Sequence, residues 1–290
     1  MNFKNLNLSK DTKIIVQGIT GHHGSFHTEL MKEYGTQIIA GVTPGKGGQV
    51  IHEIPVYDSV GVALSSNPNH KITWSIIFVP AKFAKDAALE AITAGLNVVV
   101  ITENIPVYDS IKIINQAKKK NLLVIGPNCP GIIKPGEIKM GIMPSHIFKK
   151  GSIGLVSRSG TLTYEIINQL SKHDLGQSLV IGMGGDPVVG ADFIDALNFF
   201  EKDLSTKQIV LIGEIGGNLE ELAAEHIKNN ISKPVVAYVV GVSAPQGKKM
   251  GHAGAIISGS SGTAKSKIES LKSVGVKVAS IPSEIVSLLK

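Results

Sequence analysis

One short stretch near the start of the chain decides the fold: Lys13-Ile-Ile-Val-Gln-Gly-Ile-Thr-Gly-His-His-Gly24. An apolar, β-branched run comes first, three glycines follow at Gly18, Gly21 and Gly24, and an amphipathic segment comes next. A buried strand, a glycine turn and a helix in this order form the first unit of a parallel α/β sheet. Such a turn lets a pyrophosphate approach the N–H groups of the helix start. The spacing is GxxGxxG rather than GxGxxG, so a tight turn without a ligand stays an alternative.

The same alternation of strand and helix patterns continues along almost the whole chain, which predicts an α/β fold throughout. In the first half, strands are expected at Lys13–Gln17, Gln37–Val42, Ile72–Val79, Asn97–Ile101 and Leu122–Ile125. In the second half, they are expected at Ser152–Val156, Ser178–Ile181, Gln208–Ile212, Val235–Val239 and Val276–Ala279. The first set predicts a Rossmann-like domain, and the second predicts a flavodoxin-like doubly wound domain.

The chain has 290 residues, a length that suggests two domains. Between Gly126 and Gly151 the alternation stops, and Gly, Pro and Lys dominate, which is typical of a connection between domains. We therefore predict a Rossmann-like domain over 1–130, a linker over 131–150 and a flavodoxin-like domain over 151–290.

Composition excludes several classes of protein. Hydrophobic residues make up 43% and charged residues 18%, which argues against disorder. The apolar runs are too short for a membrane span, no targeting segment is recognisable, and Cys129 is the single cysteine, so a cytoplasmic protein is expected. The net charge of +6 invites a nucleic-acid interpretation, but only Arg158 of the 29 basic residues is arginine and the lysines are scattered. We expect no nucleic acid and no membrane as partners.

The loop after the second strand narrows the ligand of the first domain. A NAD-binding unit has an acidic residue there, whereas this chain has Thr43-Pro-Gly-Lys46-Gly-Gly. A lysine among glycines suits a phosphate on a ribose, as in CoA or NADP, although a solvated loop is the plain alternative. Adjacent histidines such as His22 and His23 point in different directions, and no further ligand has matching spacing, so no metal site is predicted.

The second domain begins with a candidate anion site. Val156-Ser-Arg-Ser-Gly-Thr-Leu-Thr-Tyr-Glu165 follows a strand and opens a helix, with Ser159, Gly160 and Thr161 at the turn. Helix starts with small and hydroxylated residues expose N–H groups to an anion. Simple helix capping by Ser159 or Thr161 explains the pattern equally well.

His252 is a candidate nucleophile because it lies in a loop between Gly251 and Gly254 after a predicted strand. An imidazole that carries phosphoryl needs an acceptor on its other nitrogen to fix the tautomer. Glu214, at the end of another predicted strand, could be that acceptor. Its alternative role is to cap the helix that follows Gly217.

Seven segments in this order resemble one family, the α subunits of succinyl-CoA synthetase (succinate-CoA ligase). They extend over both predicted domains and are GVTPGKGG, ITENIP, GPNCPG, SRSGTLTYE, GGDPVVG, GEIGG and MGHAGAI.

The resemblance implies roles for particular residues. His252 would be phosphorylated, Glu214 would bond its other nitrogen, Ser159, Gly160 and Thr161 would hold the phosphoryl group, and Tyr164 would lie by the substrate. Cys129 would lie near the CoA thiol without a catalytic role. The implied CoA contacts are Thr20, Gly21, His22, His23, Lys46, Ile101, Thr102 and Glu103, although His22 and His23 depart from the Ser-Gln of bacterial relatives.

The resemblance also implies a reversible reaction of the citric acid cycle, in which succinyl-CoA, phosphate and ADP or GDP give succinate, CoA and ATP or GTP. A β subunit is expected, in an αβ or α₂β₂ assembly, with Mg²⁺ and nucleotide bound on it. Two points favour such a partner. The chain has no GxxxxGK[ST] loop to bind a nucleotide. One helix N-terminus contributes at most about 2 kcal/mol toward an anion, so further donors are needed for a phosphoryl group. The sequence does not choose between ATP and GTP.

Two other functions stay open at this point. An NADP-dependent oxidoreductase would use the first domain and leave the histidine loop unexplained. A CoA-binding regulatory protein without enzyme activity would keep the glycine turns and not need His252.

Overall fold

The computed structural model describes Phe3, residues 6–245, Gly247, residues 250–257 and residues 262–290. Lys248, Lys249 and residues 258–261 of the segment around His252 lie outside the described residues. No helix in the described ranges is long and apolar enough to cross a membrane.

The first sheet and its helices occupy residues 13–125. In chain order the elements are β1 (Lys13–Gln17), α1 (His22–Glu33), β2 (Gln37–Val42), β3 (Val50–Ile51), β4 (Ile54–Tyr57), α2 (Val60–Ser65), β5 (Ile72–Ile77), α3 (Ala81–Thr93), β6 (Asn97–Val100), α4 (Val107–Lys119) and β7 (Val124–Ile125). The spatial order is β3-β4-β2-β1-β5-β6-β7, with only β3 and β4 antiparallel among these pairs. Without β3, the parallel strands follow the 3-2-1-4-5-6 order of the Rossmann fold, which confirms the fold predicted for this half.

The second sheet contains the remaining strands. The elements are β8 (Gly131–Lys134), β9 (Ile138–Gly141), a short 3-10 helix (Ser145–Ile147), β10 (Lys150–Ser157), α5 (Gly160–Lys172), β11 (Gln177–Gly182), α6 (Phe193–Lys202), β12 (Gln208–Glu214), α7 (Leu219–Asn230), β13 (Val235–Val240), α8 (Ala264–Ser273), β14 (Lys277–Ala279) and α9 (Glu284–Leu289). The order is β14-β13-β12-β10-β11-β8-β9. Its parallel part, β11-β10-β12-β13-β14, has the flavodoxin-like order 2-1-3-4-5, as predicted.

The segment predicted to be a linker, 131–150, differs from that expectation. It forms the hairpin β8–β9, and β8 pairs antiparallel with β11, so the hairpin belongs to the edge of the second sheet. The glycines of this hairpin explain why the sequence shows no strand pattern here. A Cβ on Gly131 would lie 2.0 Å from the carbonyl oxygen of Met140. The strands approach each other where only glycine fits. The division of the chain into two domains at this segment stays a prediction.

Helices on both faces bury the central strands completely. Ile14, Ile15 and Val16 of β1 are each 0% exposed, and the middle of β12 is equally buried. Parallel strands covered on both faces have continuous apolar runs rather than an alternating pattern. This explains why the strand predictions from short apolar runs agree well with the central strands.

A set of hydrogen bonds joins the two sheets, from α1 and the turn that follows it to β9. The Thr36 hydroxyl donates to the carbonyl oxygen of Lys139 (2.7 Å) and accepts from its N–H (3.2 Å). The N–H of Gly141 donates to Sδ of Met31 at 3.3 Å. Because α1 begins at the first glycine turn, these contacts fix that turn relative to the second sheet.

Ligands of doubly wound folds bind at the carboxyl ends of the strands, where the strand order reverses. In the first sheet this point lies between β1 and β5, next to the turn Gly18–Gly24. In the second sheet it lies between β10 and β12, next to Ser159 and Glu214. The topology therefore places both predicted sites at switch points.

Candidate active site

His252 and Glu214 form the centre of the site. Nδ1 of His252 lies 2.7 Å from Oε2 of Glu214, whose side chain is 5% exposed, whereas the imidazole is 29% exposed. The hydrogen bond to Glu214 raises the pKa of His252 above its usual value, against burial and Arg158, which lower it. Because the carboxylate accepts the Nδ1 proton, Nε2 of the neutral imidazole is the nitrogen available as a nucleophile.

Glu214 does not serve as the cap of the following helix. It is the last residue of β12, and α7 begins at Leu219 after Asn218 in the cap position. The carboxylate instead pairs with His252 and lies 3.4 Å from Nη2 of Arg158. The geometry therefore favours the histidine-partner interpretation over the capping one.

Glycines make room for the imidazole. A Cβ on Gly185 would lie 2.3 Å from Cγ of His252, so a side chain at this position would occupy the space of the ring. The carbonyl oxygen of Gly185 also accepts the N–H of Gly254 at 2.9 Å, which holds the loop that carries His252 against the loop after β11. The position of the histidine thus depends on backbone contact between two loops.

Helix α5 begins where the sequence predicted an anion site. Ser159 is its N-cap, and its hydroxyl accepts the N–H of Leu162 at 3.4 Å. The capping alternative for Ser159 is therefore realised, and the other N–H groups of the first turn remain available to an anion. Gly160 and Thr161 follow on the same turn and line the cavity that also contains His252.

A cavity of about 670 Å³ connects the two halves of the chain. It brings together predicted residues of both: His252 and the first turn of α5 from one side, and the segment after β6 from the other. Asn128 and Cys129, from the segment between the sheets, lie on its wall. The predicted site residues that line it are His23, Ile101, Thr102, Glu103, Gly160, Thr161, Tyr164 and His252.

A second cavity of about 670 Å³ lies at the switch point of the first sheet. Thr20 and Gly21 line it together with Thr43, and the Thr20 hydroxyl donates to the Thr43 hydroxyl at 3.2 Å. Both cavities are lined by Phe78, Val79 and Pro80, which places them side by side. A Cβ on Gly24 would lie 2.1 Å from the Gly18 carbonyl oxygen, so this turn requires glycine.

His22 and Lys46 line neither cavity. His22 is the exposed first residue of α1, and its ring packs edge-on against His23 with centroids 5.5 Å apart. Lys46 is exposed in the turn after β2, where its N–H donates to the Thr43 carbonyl oxygen. Their expected contacts with a ligand stay predictions.

Burial makes Cys129 and Tyr164 poor acids at neutral pH. Burial raises the pKa of the Cys129 thiol to about 12, and Sγ lies 3.2 Å from the Val100 carbonyl oxygen as a donor. Burial likewise raises the pKa of Tyr164 to about 12. Both side chains therefore present neutral groups to the cavity, which agrees with a non-catalytic Cys129.

The sequence did not single out the charged groups around Glu214. Arg158 lies behind the carboxylate, and Asp186, on the loop after β11, accepts from the Asn128 amide at 2.9 Å. Two signals were available for Arg158: it is the chain's only arginine, and it follows a strand at a switch point. Among the described residues, no three His, Cys, Asp or Glu side chains group in a way that could hold a metal ion.

Another cavity, of about 720 Å³, lies between the amino-terminal segment and α6, and none of the predicted site residues lines it. Its walls include Phe3 and Leu6 of the amino-terminal segment and Phe199 and Lys202 of α6. Chemistry rather than size therefore identifies the site, and we assign it to the cavity with His252.

Two family models match the chain, a CoA binding domain over residues 9–105 and a CoA-ligase over residues 156–277. The first covers the turn Gly18–Gly24, and the second covers both Glu214 and His252. The two matches together extend over both sheets.

Curated proteins match over nearly the full length. The succinate–CoA ligase [ADP-forming] subunit alpha 2 of Archaeoglobus fulgidus is 56% identical over 279 residues, covering 96% of each chain. The corresponding alpha subunit of Aquifex aeolicus is 54% identical over 281 residues, covering 96% of this chain and 91% of that one.

A solved structure shares the fold. The ATP citrate lyase of Methanothrix soehngenii, in complex with citrate and coenzyme A, matches with a TM-score of 0.87 at 24% identity. The match covers 98% of this chain and about half, 51%, of that one. Identity above one half across both sheets, with the ligase model spanning the histidine site, shows that the chain belongs to the family of succinate–CoA ligase α subunits.

Proposed function

We propose that this chain is the α subunit of a succinate–CoA ligase that passes a phosphoryl group through His252 in the citric acid cycle. The observation that carries the proposal is the 2.7 Å contact of His252 Nδ1 with Glu214, in a cavity shared with the start of α5 and with residues of the CoA-binding half. A family of this activity at 56% identity supports it.

The reaction divides into three reversible transfers. Phosphate attacks the thioester carbonyl of succinyl-CoA, so that CoA leaves as the thiol and succinyl phosphate forms. Nε2 of His252 then attacks phosphorus, the bond to the succinyl oxygen breaks, and succinate leaves as a carboxylate. Finally, the terminal phosphate oxygen of a nucleoside diphosphate takes the phosphoryl group and regenerates the neutral imidazole.

Glu214 serves the second and third of these steps through Nδ1 of His252. When Nε2 forms its bond to phosphorus, the imidazole gains positive character, and the adjacent carboxylate stabilises it. The same hydrogen bond keeps the proton on Nδ1, so the ring returns to the reactive tautomer after each transfer. The raised pKa of His252 expresses this stabilisation of positive charge.

The start of α5 is the expected phosphoryl site. N–H groups in its first turn and the Thr161 hydroxyl suit phosphate oxygens, and Ser159 holds the turn in place as its N-cap. Gly160 has no side chain, and the space where a Cβ would lie is open except for Cβ of Pro130 at 3.9 Å. A phosphate can therefore approach the backbone of this turn closely. Tyr164, one turn further along α5, is expected beside the succinyl group.

CoA is expected along the two adjoining cavities. Its nucleotide part would bind at the glycine turn, with Thr20 and Gly21 in the wall and with His22, His23 and Lys46 at the edge. Ile101, Thr102 and Glu103 would line the path toward His252, with the thiol end near Cys129. This direction places the thioester in the cavity that His252 lines.

A β subunit would complete the enzyme. The family is named as a subunit of a larger ligase, and one helix N-terminus contributes at most about 2 kcal/mol toward an anion, which is small against the desolvation of a phosphoryl dianion. We expect the partner to supply further donors together with the Mg²⁺ and nucleotide site, in an αβ or α₂β₂ assembly in the cytoplasm. Relatives named ADP-forming favour ADP over GDP.

The test is thioester synthesis by the chain together with its cognate β subunit. Succinate, CoA, Mg²⁺ and ATP or GTP are supplied, and succinyl-CoA is measured by absorbance and by mass spectrometry. We expect synthesis only with both subunits, and a loss to background in His252→Asn. Undiminished synthesis by His252→Asn would contradict the proposed route.

The same preparation separates the alternative functions. Binding of reduced NADP that CoA does not displace would favour an oxidoreductase. CoA binding without thioester synthesis under any nucleotide condition would favour a regulatory CoA-binding protein. His146→Asn is the matched control, because His146 is an exposed histidine on the short 3-10 helix, and it should keep full activity.

A further inference from the structure

A network of buried ion pairs lies behind Glu214, on the side away from the histidine. Arg158 is 3% exposed, and Glu220 and Lys267 are each 0% exposed. Nη1 of Arg158 lies 3.1 Å from Oε1 of Glu220, and Nζ of Lys267 pairs with Oε2 of the same carboxylate. Glu220 therefore bridges an arginine after β10 and a lysine on α8.

Glu220 also contacts the backbone of Glu214 directly. Its Oε1 accepts the N–H of Glu214 at 3.1 Å, while Nη1 of Arg158 donates to the carbonyl oxygens of Glu214 (3.3 Å) and Gly216 (3.0 Å). The end of β12 is thus held on both its N–H and its carbonyl side. Gly213 makes room for this contact, because a Cβ there would lie 2.6 Å from Cγ of Glu220.

The link between Arg158 and the Glu214 carboxylate is electrostatic. Oε1 of Glu214 makes no hydrogen bond within the described part of the chain, although Nη2 of Arg158 lies 3.4 Å away. The carboxylate is therefore shared between Arg158 on one oxygen and His252 on the other. Arg158 and His252 thus compete for the negative charge of the Glu214 carboxylate. A change in the charges around Arg158 alters the strength of its attraction to Glu214.

Stability alone is a weak reason for such a network. Removing charges from water is costly, and apolar side chains of the same volume often stabilise a core equally well. The charges of the buried groups balance, with two cations (Arg158 and Lys267) and two carboxylates (Glu214 and Glu220). Glu221 adds a partly exposed contact to Lys267 at 3.3 Å. The specific consequence of the arrangement is the fixed position of Glu214.

We propose that Glu220 and Lys267 are positioning residues for His252: they hold Arg158 and the end of β12 so that Glu214 faces Nδ1 and Nε2 stays free. Lys267 has a second consequence, because it lies on the helix that follows the histidine loop and ties that helix to α7. This positioning role rests on the proposed function, because only phosphoryl transfer gives the free Nε2 a purpose.

The pKa of His252 reports how Glu220 and Lys267 position Glu214, and it can be measured by titration without any phosphoryl transfer. The charged groups that face its ring are Glu214 from β12, Arg158 from the end of β10 and Asp186 from the loop after β11. The full-length, unphosphorylated chain is labelled with ¹⁵N-histidine, and His252→Asn assigns the signal. At an effective dielectric constant near 20, a unit charge within about 10 Å moves a pKa by about one unit.

The two residues should act in opposite directions. Glu220→Gln removes a negative charge, strengthens the pull of Arg158 on Glu214, and should lower the pKa of His252 by about one unit. Lys267→Met removes a positive charge and should raise it by a similar amount, whereas Lys267→Arg, which keeps the charge, should restore the wild-type value. In the double variant the two charge changes cancel and only the loss of positioning remains, so the pKa of His252 should stay below the wild-type value; a return to that value would show a charge effect alone and overturn the proposal.

A purely structural role predicts a different result. Folded Glu220→Gln and Lys267→Met proteins, as judged by circular dichroism, that keep the wild-type titration of His252 would overturn the proposal. If Glu220→Gln does not fold, Gly213→Ala displaces the same carboxylate without changing charge, and an unchanged titration in that variant would overturn it equally.

Phosphorylation distinguishes this inference from the proposed function. With the β subunit, Mg²⁺ and ATP or GTP, the rate of His252 phosphorylation should fall roughly tenfold in Glu220→Gln, with the KM for nucleotide unchanged. A wild-type chain that titrates as expected but is never phosphorylated would refute the proposed function and leave the positioning role standing.

Discussion

At the scale of single residues, the proposed mechanism divides two tasks between the nitrogens of one imidazole. Nδ1 is committed to Glu214 and leaves Nε2 free, so the carboxylate determines both tautomer and charge. Sequence patterns could indicate His252 and Glu214, because His252 lies in a glycine-rich loop after a strand and Glu214 ends a strand just before a glycine-rich turn. They could not identify Glu220 and Lys267, because acidic and basic residues on amphipathic helices are ordinarily exposed.

Replacement of the carboxylate should change both the rate and its pH dependence. Because Glu214 raises the pKa of His252, the neutral nucleophile appears as the pH rises through that raised value. In Glu214→Gln the pKa falls, so the midpoint of the pH–rate curve should move to lower pH. The plateau rate should drop between about 10²- and 10⁴-fold, as when a base loses its orienting carboxylate.

The measurement is His252 phosphorylation against pH by rapid quench, with Glu269→Gln as control on the exposed face of α8. If the midpoint of the pH–rate curve is the same in Glu214→Gln and wild type, the Glu214 carboxylate does not control the pKa of His252.

A methyl group at Gly185 should displace the imidazole. Its Cβ would lie 2.3 Å from Cγ of His252, well inside contact distance. Gly185→Ala should therefore lose most phosphorylation while CoA affinity, measured by calorimetry, stays within about twofold, as expected for a local change. Gly61→Ala on α2 is the matched control, since its Cβ would meet nothing closer than 4.0 Å. Full activity in Gly185→Ala would show that His252 works from another position.

At the scale of elements, strands buried on both faces were predictable, and so were the edge strands β7 and β14, whereas β3, β4, β8 and β9 were not. The apolar runs of β1, β5 and β12 have few alternatives to a buried strand. By contrast, β3 has two residues, β4 contains Pro55, and the hairpin β8–β9 is rich in glycine. Edge pairing of this kind depends on backbone approach rather than on side-chain pattern, so its signal resembles that of a loop.

Helix α1 should make stability depend on pH through His27. Burial lowers the pKa of this histidine from 6.5 to about 4, with smaller contributions from Lys139 and His23. Nδ1 is buried without a hydrogen bond in the described part of the chain, and the ring stacks on Phe78 with centroids 5.8 Å apart. Between pH 6.5 and 4 the unfolded chain binds a proton that the folded chain does not, so stability falls as the pH falls.

His27→Gln should remove this part of the pH dependence. The free energy of unfolding, measured by urea denaturation, should fall less between pH 7 and pH 4 in the variant than in the wild type. The difference should reach up to roughly 2 kcal/mol for a half-buried group. His146→Gln, at an exposed position, serves as the control. Identical pH dependence in His27→Gln and wild type would show that the pKa of His27 is the same in the folded and the unfolded chain.

At the scale of the whole molecule, the proposed function requires the switch points of the two sheets to face adjoining cavities. Sequence patterns predicted both folds, and therefore both switch points, but no pattern predicted how the sheets are joined. The junction uses α1 and β9, and β9 lies in the segment that was expected to be a linker. Contacts between elements distant in sequence depend on packing, which a single sequence does not display.

The junction should be sensitive to Thr36. Its buried hydroxyl satisfies both the carbonyl oxygen and the N–H of Lys139. Thr36→Val keeps the shape and leaves both groups buried without that partner, which should cost about 1–3 kcal/mol. Thermal denaturation should show a lower Tm, and the KM for CoA should rise because the glycine turn is attached to α1. Thr36→Ser, which keeps the hydroxyl, should retain most of the stability, and an unchanged Tm in Thr36→Val would exclude this role.

In the proposed reaction His252 carries the phosphoryl group, and identification of the phosphorylated residue is the sharpest test of this assignment. The chain and its cognate β subunit are incubated with Mg²⁺ and γ-³²P-labelled ATP or GTP, and the labelled peptide is sequenced by mass spectrometry. Acid-labile phosphate is expected on His252, absent from His252→Asn and discharged by succinate and CoA. Label that persists in His252→Asn, or that maps to another residue of this chain, would contradict it.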